Sequence, residues 1–209
     1  MSGSDTSLLA VLETSRSLGF LGPGPVGDHV VHAGAFVPLI PQGGSVLDLG
    51  SGGGLPGLVV ARTRSDLRVV LVDSRQRRTD FLLHAVQELD LAARVEVRTG
   101  RAEELAHEPE LRHAFDVVVS RSFGPPAVTA ECAAGFLRGP GSLVLVSEPP
   151  DEDGGGHQRW PAGGLAELGL RRARVVNSPA ATIQLLESEQ WCDDRFPRAI
   201  GRPAKRPLF

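Results

Sequence analysis

The stretch that decides the fold of this 209-residue chain is Ser45-Val46-Leu47-Asp48-Leu49-Gly50-Ser51-Gly52-Gly53-Gly54. Its first half is a short apolar run, which predicts a buried β-strand, and its second half is a glycine-rich turn. Apolar residues follow at helix-like density from Leu58 to Ala61. A glycine-rich turn between a strand and a helix lets the backbone approach a ligand closely and points helix N–H groups at it. This region therefore predicts a ligand-binding loop.

Strand and helix patterns alternate through the rest of the chain. Further strands are predicted at 69–72, 94–98, 115–119 and 143–146, and helices at 78–89 and 127–136. Strands that are apolar throughout and alternate with helices indicate a parallel sheet covered on both faces. The segments 172–176 and 182–187 flank a turn and predict a hairpin. We therefore predict an α/β fold with a seven-stranded, mostly parallel sheet that ends in a C-terminal antiparallel hairpin.

Two helices are predicted before the first strand. The first spans 7–18, and the second is capped by Asp28 and runs to about Phe36. The chain thus divides into an N-terminal helical segment, residues 1–41, and a main domain, residues 42–209. The acidic, glycine-rich stretch 151–156 is predicted to be a mobile loop.

Composition narrows the class of protein. The chain is 41% hydrophobic and 22% charged with a net charge of −3, which argues against disorder and against a protein that is basic all over. It has no run of about 20 apolar residues and no secretory signal. Cys132 and Cys192 form neither a disulfide framework nor a metal cluster. We expect a cytoplasmic monomer that binds neither membrane nor metal. His29 and His32 could form a metal pair, but no third ligand is apparent.

Two acids indicate which ligand the loop binds. Gly52-x-Gly54-x-x-Gly57 matches the dinucleotide pattern, which would favour NAD. Asp48, however, would repel a pyrophosphate and attract a cation, and Pro56 removes an N–H group from the helix start. Asp73 follows the second strand, 23 positions after Gly50, the spacing at which an acid binds ribose hydroxyls. A ligand with a ribose and a cationic end fits both acids, and S-adenosylmethionine (SAM) is such a ligand. The alternative is that both acids only cap helices and turns.

The charged residues of the chain are unevenly distributed. Residues 195–209 contain only cations among their charged groups and follow an acidic stretch. The cations of this basic tail are Arg195, Arg198, Arg202, Lys205 and Arg206. They could bind phosphates, and the alternative is a solvated extension. Trp160 and Trp191 could stack on bases, although core or rim packing is the favoured role for both.

The motifs also resemble a known family. The stretch Val46 to Gly57 is similar to the first motif of the RsmG (GidB) family of SAM-dependent methyltransferases, which modify N7 of a guanine in bacterial 16S rRNA. The similarity continues through Val72-Asp73-Ser74, Gly100-Arg101-Ala102-Glu103-Glu104 and Ser120-Arg121-Ser122-Phe123, and then through the C-terminal residues Phe196-Pro197-Arg198, Gly201, Pro203, Lys205, Pro207 and Leu208. It implies a Rossmann-like class I methyltransferase domain, SAM as cofactor and 16S rRNA or the small ribosomal subunit as partner.

The resemblance also implies site residues. Arg121 would be the catalytic residue, beside the sulfonium and the incoming base. The cofactor would be bound by Asp48, Gly50, Ser51, Gly52, Gly54, Leu55, Asp73, Ser74, Ala102, Glu103 and Arg121, and RNA by Arg198, Arg202, Lys205 and Arg206. An alternative for Arg121 is a surface ion pair with a nearby acid.

The sequence departs from the family pattern at several positions. His32-Ala33 replaces an Asn or Asp followed by Ser, and Ser147-Glu148 replaces Lys-Gly. The second exchange removes a cation and adds an acid near the predicted RNA face. In addition, the region before the first strand is shorter than expected for the family. Two alternatives to an rRNA methyltransferase therefore stay open: a methyltransferase for a small molecule, and a SAM-binding, ribosome-associated protein without catalysis.

Overall fold

The computed structural model describes residues 3–149 and 156–209. The predicted acidic loop lies, apart from Gly156, outside these residues. The strands are β1 Ser45–Leu49, β2 Arg68–Asp73, β3 Val95–Thr99, β4 Val117–Ser120, β5 Leu143–Glu148, β6 Leu170–Asn177 and β7 Thr182–Ser188. The helices are α1 Gly3–Ser17, α2 Val26–Gly34, a 3-10 turn Val37–Leu39, α3 Gly57–Thr63, α4 Gln76–Glu88, α5 Ala102–Leu105, α6 Pro126–Ala134, α7 Gly156–Arg159, α8 Ala162–Glu167 and α9 Arg202–Lys205.

The strands form one seven-stranded sheet in the order β3-β2-β1-β4-β5-β7-β6. The first five strands pair in parallel, whereas β7 is antiparallel to both β5 and β6. This arrangement confirms the predicted sheet and its C-terminal hairpin. The strand order reverses between β1 and β4, and in such sheets ligands bind outside the carboxyl ends of the strands at that point.

Alternate residues of each strand face opposite cores, as the period of two requires. On β1, Val46 packs into a core shared with α1, α2, α3 and α4, while Leu47 and Leu49 pack against α5, α6 and α8. The helices that precede β1 thus share one core with the helices of the main domain. In the described part of the chain no helix is long and apolar enough to cross a membrane.

The prediction that Asp28 caps the second helix is wrong. Helix α2 begins at Val26 after Pro25, whose φ of −64° suits the start of a helix, and Asp28 lies in the first turn. Asp28 still stabilises the start of α2, because a carboxylate in the first turn interacts favourably with the helix dipole.

Candidate active site

A cavity of about 350 Å³ lies at the carboxyl ends of β1, β2, β3 and β4, beside the reversal of strand order. Its volume is within the range of small-molecule sites, about 300–1,000 Å³. Its walls come from the end of β2, from the loops after these four strands, and from residues of α4, α5, α6 and α9. The lining residues are Gly50, Val72, Asp73, Ser74, Arg75, Arg78, Gly100, Arg101, Ala102, Glu103, Ser122, Phe123, Gly124, Pro125, Val128 and Ala204.

The glycine loop is held tightly between β1 and α3. Gly50 has a φ of +72°, and a Cβ atom there would lie 2.6 Å from the Phe123 ring, so only glycine fits. Further along, the Ser51 N–H donates to the Val72 carbonyl at 2.8 Å, and the Gly54 N–H donates to the Ser51 carbonyl at 2.7 Å. Hydrogen bonds within the loop and to β2 therefore hold its shape.

Asp73 joins the loop to the end of β2. One carboxylate oxygen accepts the Gly52 N–H at 3.0 Å, and the other accepts the Arg75 N–H at 2.9 Å. Arg78 adds an ion pair at 3.2 Å, and Asp73 is 4% exposed but lines the cavity. Oδ2 accepts from both Gly52 and Arg78, whereas Oδ1 accepts only from Arg75, so Asp73 shapes the loop and its Oδ1 can still accept a hydroxyl group.

Asp48 is fully buried beneath the loop. Its Oδ2 accepts the Gly57 N–H at 2.9 Å, as in a helix cap, and its Oδ1 has no partner in the described part of the chain. Burial raises the pKa of Asp48 to about 7, although the Gly57 N–H opposes this shift. The alternative that this acid caps a helix is thus true of one oxygen only.

Arg121 follows β4 and is half-buried. Its Nη2 donates to His29 Nδ1 at 2.6 Å, while Nη1 is buried without a protein partner among the described residues. No described carboxylate lies within ion-pair distance of its guanidinium, so the surface ion pair considered above is wrong. Arg121 does not line the cavity, but the next two residues, Ser122 and Phe123, do.

The predicted cofactor residues fall into two groups. Those that line the cavity are Gly50, Asp73, Ser74, Ala102 and Glu103. Those that do not line it are Asp48, Ser51, Gly52, Gly54, Leu55 and Arg121.

Unpartnered buried atoms indicate how the site continues beyond the cavity. Asp48 Oδ1 on β1, Ser120 Oγ on β4 and the Nη1 atom of Arg121 all lack partners among the described residues. A ligand with a ribose, a purine and a cationic end fits this arrangement, because the carboxylate oxygen lacks a positive partner and Asp73 lines the adjoining cavity.

The basic tail runs from Arg195 to Phe209 and contacts the cavity. Ala204 on α9 is a lining residue, and the Gly201 N–H donates to Glu103 at 3.0 Å. Arg202, Lys205 and Arg206 are exposed on or directly after α9. Three cations therefore lie on one turn near the rim of the cavity.

Arg198 requires a correction. Arg198 was predicted to bind RNA, but the structure engages its guanidinium in two side-chain hydrogen bonds with Glu131, at 2.8 and 2.6 Å. Glu131 lies on α6, 67 positions away in sequence, so the local charge pattern did not show it. Arg195 also has an acidic neighbour, because its Nε lies 3.8 Å from a carboxylate oxygen of Asp193 on the surface.

Other sequence hypotheses are resolved by local contacts. His29 and His32 bond to Arg121 and Ser147 respectively, and no group of three metal-ligating side chains occurs among the described residues. Trp160 is buried at 1% exposure, whereas Trp191 is 57% exposed and packs edge-on against His113. Both tryptophans thus have packing contacts, one in the core and one at the rim.

Sequence reasoning missed three residues of this region. Phe123 belongs to a motif that resembles the family, but that motif does not show that its ring covers Gly50. Ala204 and Glu131 carried no signal, because an alanine in a basic tail and an acid in an apolar helix gain meaning only from their three-dimensional neighbours.

Solved structures with the same fold include a putative O-methyltransferase from Klebsiella pneumoniae, with a TM-score of 0.62 and 17% identity over 88% of this chain and 90% of that one. An O-methyltransferase from Bacillus cereus in complex with SAH gives a TM-score of 0.60 with 18% identity, covering 88% and 91%. The chain therefore shares the fold of these two proteins.

Sequence comparisons then give the family. Residues 26–153 match the model of the GidB family, rRNA small subunit methyltransferase G. Ribosomal RNA small subunit methyltransferase G of Salinispora tropica is 50% identical over 85% of this chain and 74% of its own length. The protein of the same name from Rubrobacter xylanophilus is 33% identical, covering 87% and 72%. The chain belongs to this family, as its motifs predicted, and SAM is its cofactor.

Proposed function

We propose that this protein methylates N7 of a guanine in 16S rRNA, acting on the small ribosomal subunit. The observation that carries the proposal is the position of the basic turn Arg202 to Arg206, which contributes Ala204 to the cofactor cavity and carries three exposed cations. A polyanion bound to that turn would lie next to the methyl donor. Family membership supplies the identity of the polyanion.

In this proposal the cavity residues hold the adenosyl part of the cofactor. Asp73 binds the ribose hydroxyls, while Ser74, Ala102 and Glu103 border the adenine. The glycine loop and Leu55 shape the wall toward the methionine end, and Asp48 Oδ1 supplies negative charge there. When bound, SAM supplies an electrophilic methyl group.

The reaction needs little acid–base chemistry from the protein. The lone pair of guanine N7 forms the new N–C bond while the C–S bond breaks, and no proton has to be removed first. Orientation and exclusion of water can then supply most of the acceleration. Arg121 is the proposed catalytic residue, because a guanidinium can donate to O6 of a guanine and hold the base in place.

The proposed RNA surface consists of Arg202, Lys205 and Arg206. Each phosphate contact contributes roughly 0.7–0.9 to the slope of log affinity against log salt concentration. Replacing all three by Gln should therefore weaken RNA binding and flatten its salt dependence, while SAM affinity stays within about twofold. Arg68→Gln is the matched control, because it removes an exposed arginine at the opposite edge of the sheet.

Transfer of a labelled methyl group from SAM tests the proposal directly. Intact small subunits, naked rRNA and small-molecule extracts are compared as acceptors, and the modified nucleotide is identified by mass spectrometry. Methylated guanine in the subunits supports the proposal. Label that appears only in the small-molecule extract favours a small-molecule methyltransferase, and SAM binding without transfer favours a non-catalytic protein.

Two substitutions assign roles within the reaction. Asp73→Ala should weaken SAM binding by about 1.5–3 kcal/mol, as expected for hydrogen bonds to a charged group, whereas the exposed Asp80→Ala should not. Arg121→Ala should lower methyl transfer even when RNA is saturating. An unchanged rate in Arg121→Ala would remove this residue from the mechanism.

A further inference from the structure

Two histidines of α2 face the ends of two strands beside the cavity. His29 and His32 are three residues apart, which places them on one face of the helix. His29 contacts Arg121 after β4, and His32 Nε2 lies 3.0 Å from Ser147 Oγ on β5. Helix α2 is thus fastened by side chains to the two strands on the far side of the strand-order reversal.

The contact with Arg121 fixes the tautomer of His29. A guanidinium only donates hydrogen bonds, so His29 Nδ1, at 2.6 Å from Nη2, must be the unprotonated acceptor. The proton of the neutral ring then lies on Nε2, which donates to the Gly22 carbonyl at 3.2 Å. Both ring nitrogens are satisfied, and the ring is held between a loop and a cation.

This arrangement leaves one side of Arg121 unsatisfied. Nη1 is buried without a protein partner among the described residues, and so is Ser120 Oγ, one position earlier on β4. An unsatisfied buried polar group is unfavourable, and more so when it is charged. A ligand acceptor that reached Nη1 would remove this cost.

We propose that His29 is a positioning residue for Arg121, which holds the guanidinium so that Nη1 donates to the acceptor base. This inference rests on the proposed function, since the base edge that it assigns is the O6 carbonyl of guanine. A guanidinium already held at Nη2 loses less rotational freedom when the base binds, so His29 acts on the orientation of the base.

The second histidine supports the same geometry. His32 fixes α2 against β5, and its pKa is lowered by burial and by the charge of Arg121. A neutral His32 adds no positive charge beside the guanidinium. Arg121 therefore remains the cation of this cluster. Of the two histidines, His29 is the one that bonds to its guanidinium and sets the orientation of that group.

Three variants of the full-length protein test the inference. His29→Leu removes the acceptor, and His29→Gln can restore both bonds because its carbonyl oxygen accepts and its amide donates. His84→Leu, on the exposed face of α4, is the matched control. Single-turnover methyl transfer to small subunits that lack the modification is measured with RNA and SAM saturating. SAH affinity is measured by calorimetry.

We expect His29→Leu to lower the single-turnover rate about 10- to 100-fold, as for a misplaced reactive group, while the Kd for SAH and the KM for subunits change less than about threefold. His29→Gln should recover most of the rate, and His84→Leu should match the natural protein. Equal rates in His29→Leu and the natural protein would overturn the inference. Equal losses in His29→Leu and His29→Gln would also overturn it, as would a loss of SAH affinity as large as the loss of rate.

A second measurement does not depend on the acceptor. Nitrogen-15 NMR should show His29 protonated at Nε2 only, and slow rotation of the Arg121 guanidinium that becomes fast in His29→Leu. Fast rotation in the natural protein would refute the inference. If the natural protein methylates no subunit, the proposed function fails, and the NMR result still decides whether His29 holds Arg121.

Discussion

The pair Arg198–Glu131 gives the sharpest prediction on how the tail is held. Glu131 is 0% exposed and accepts three hydrogen bonds from Arg198, from the backbone N–H, from Nε and from Nη2, at 2.6–2.8 Å. The Nη2 group also donates to the Arg206 carbonyl at 2.8 Å. One side chain therefore ties the start of the tail both to α6 and to the end of α9.

The magnitude follows from burial. Removing one partner of a buried ion pair costs about 3–5 kcal/mol, because the other charge is left uncompensated. The Arg198 side chain is 23% exposed, so the lower end applies, and we expect Arg198→Met to lower the free energy of unfolding by about 3 kcal/mol. Glu131→Gln should cost less, about 1–2 kcal/mol, because the remaining charge, on Arg198, is partly exposed and the Gln carbonyl oxygen can still accept from it.

Urea unfolding followed by circular dichroism measures these changes. Arg202→Met is the control, since its side chain is exposed on α9 and its removal should cost less than about 0.5 kcal/mol. The double variant with Glu131→Gln and Arg198→Met should lose less than the sum of the single losses, because both act on one interaction. Unchanged stability in Arg198→Met, together with a smaller salt slope for RNA binding, would refute this account and would favour a role for Arg198 in binding RNA.

Three further predictions concern groups at the cavity. Because the pKa of Asp48 is raised to about 7, the contribution of its protonated form to stability is complete below pH 4 and is lost as pH rises to 7. In urea titrations, the free energy of unfolding of Asp48→Asn should therefore increase, relative to that of the natural protein, by up to about 4 kcal/mol between pH 4 and pH 8. Phe123→Ala should weaken SAH binding in calorimetry by about 1–3 kcal/mol, because its ring lines the cavity. Glu103→Gln, which weakens the bond from Gly201, should lower RNA affinity in filter binding more than Arg68→Gln does.

The sheet could be predicted because its signals are local. The apolar run at β1 and the glycines after it are adjacent in sequence, and Asp73 follows from the length of one strand–helix–strand unit. The cavity then follows from the topology, since parallel strands bring their carboxyl ends to one edge. The exact helix start was harder, because Pro25 and Asp28 are both good signals within one turn.

The partners of the site residues could not be predicted, because they come from distant parts of the chain. His29 and Arg121 are 92 positions apart, and Arg198 and Glu131 are 67 apart. No periodicity or spacing connects such pairs, whose contact is fixed by packing of whole elements. The sequence therefore predicts candidate residues for the site but not which of their atoms remain available to a ligand.

The departures from the family pattern have a common physical setting. His32 and Ser147, which replace residues of different chemistry in the family pattern, form a hydrogen bond with each other, so both exchanges lie at one contact between α2 and β5.

The neighbouring acid is also compensated. Glu148 is 9% exposed and pairs with Arg159 at 2.8 Å, which means that it does not act as an isolated negative charge toward RNA. The net charge of −3 likewise counts acids such as Glu131 and Asp48 that are buried away from any phosphate. Near the cavity, RNA would meet the exposed cations of one turn, Arg202, Lys205 and Arg206. The electrostatic potential around this turn is positive, although the net charge of the whole chain is negative.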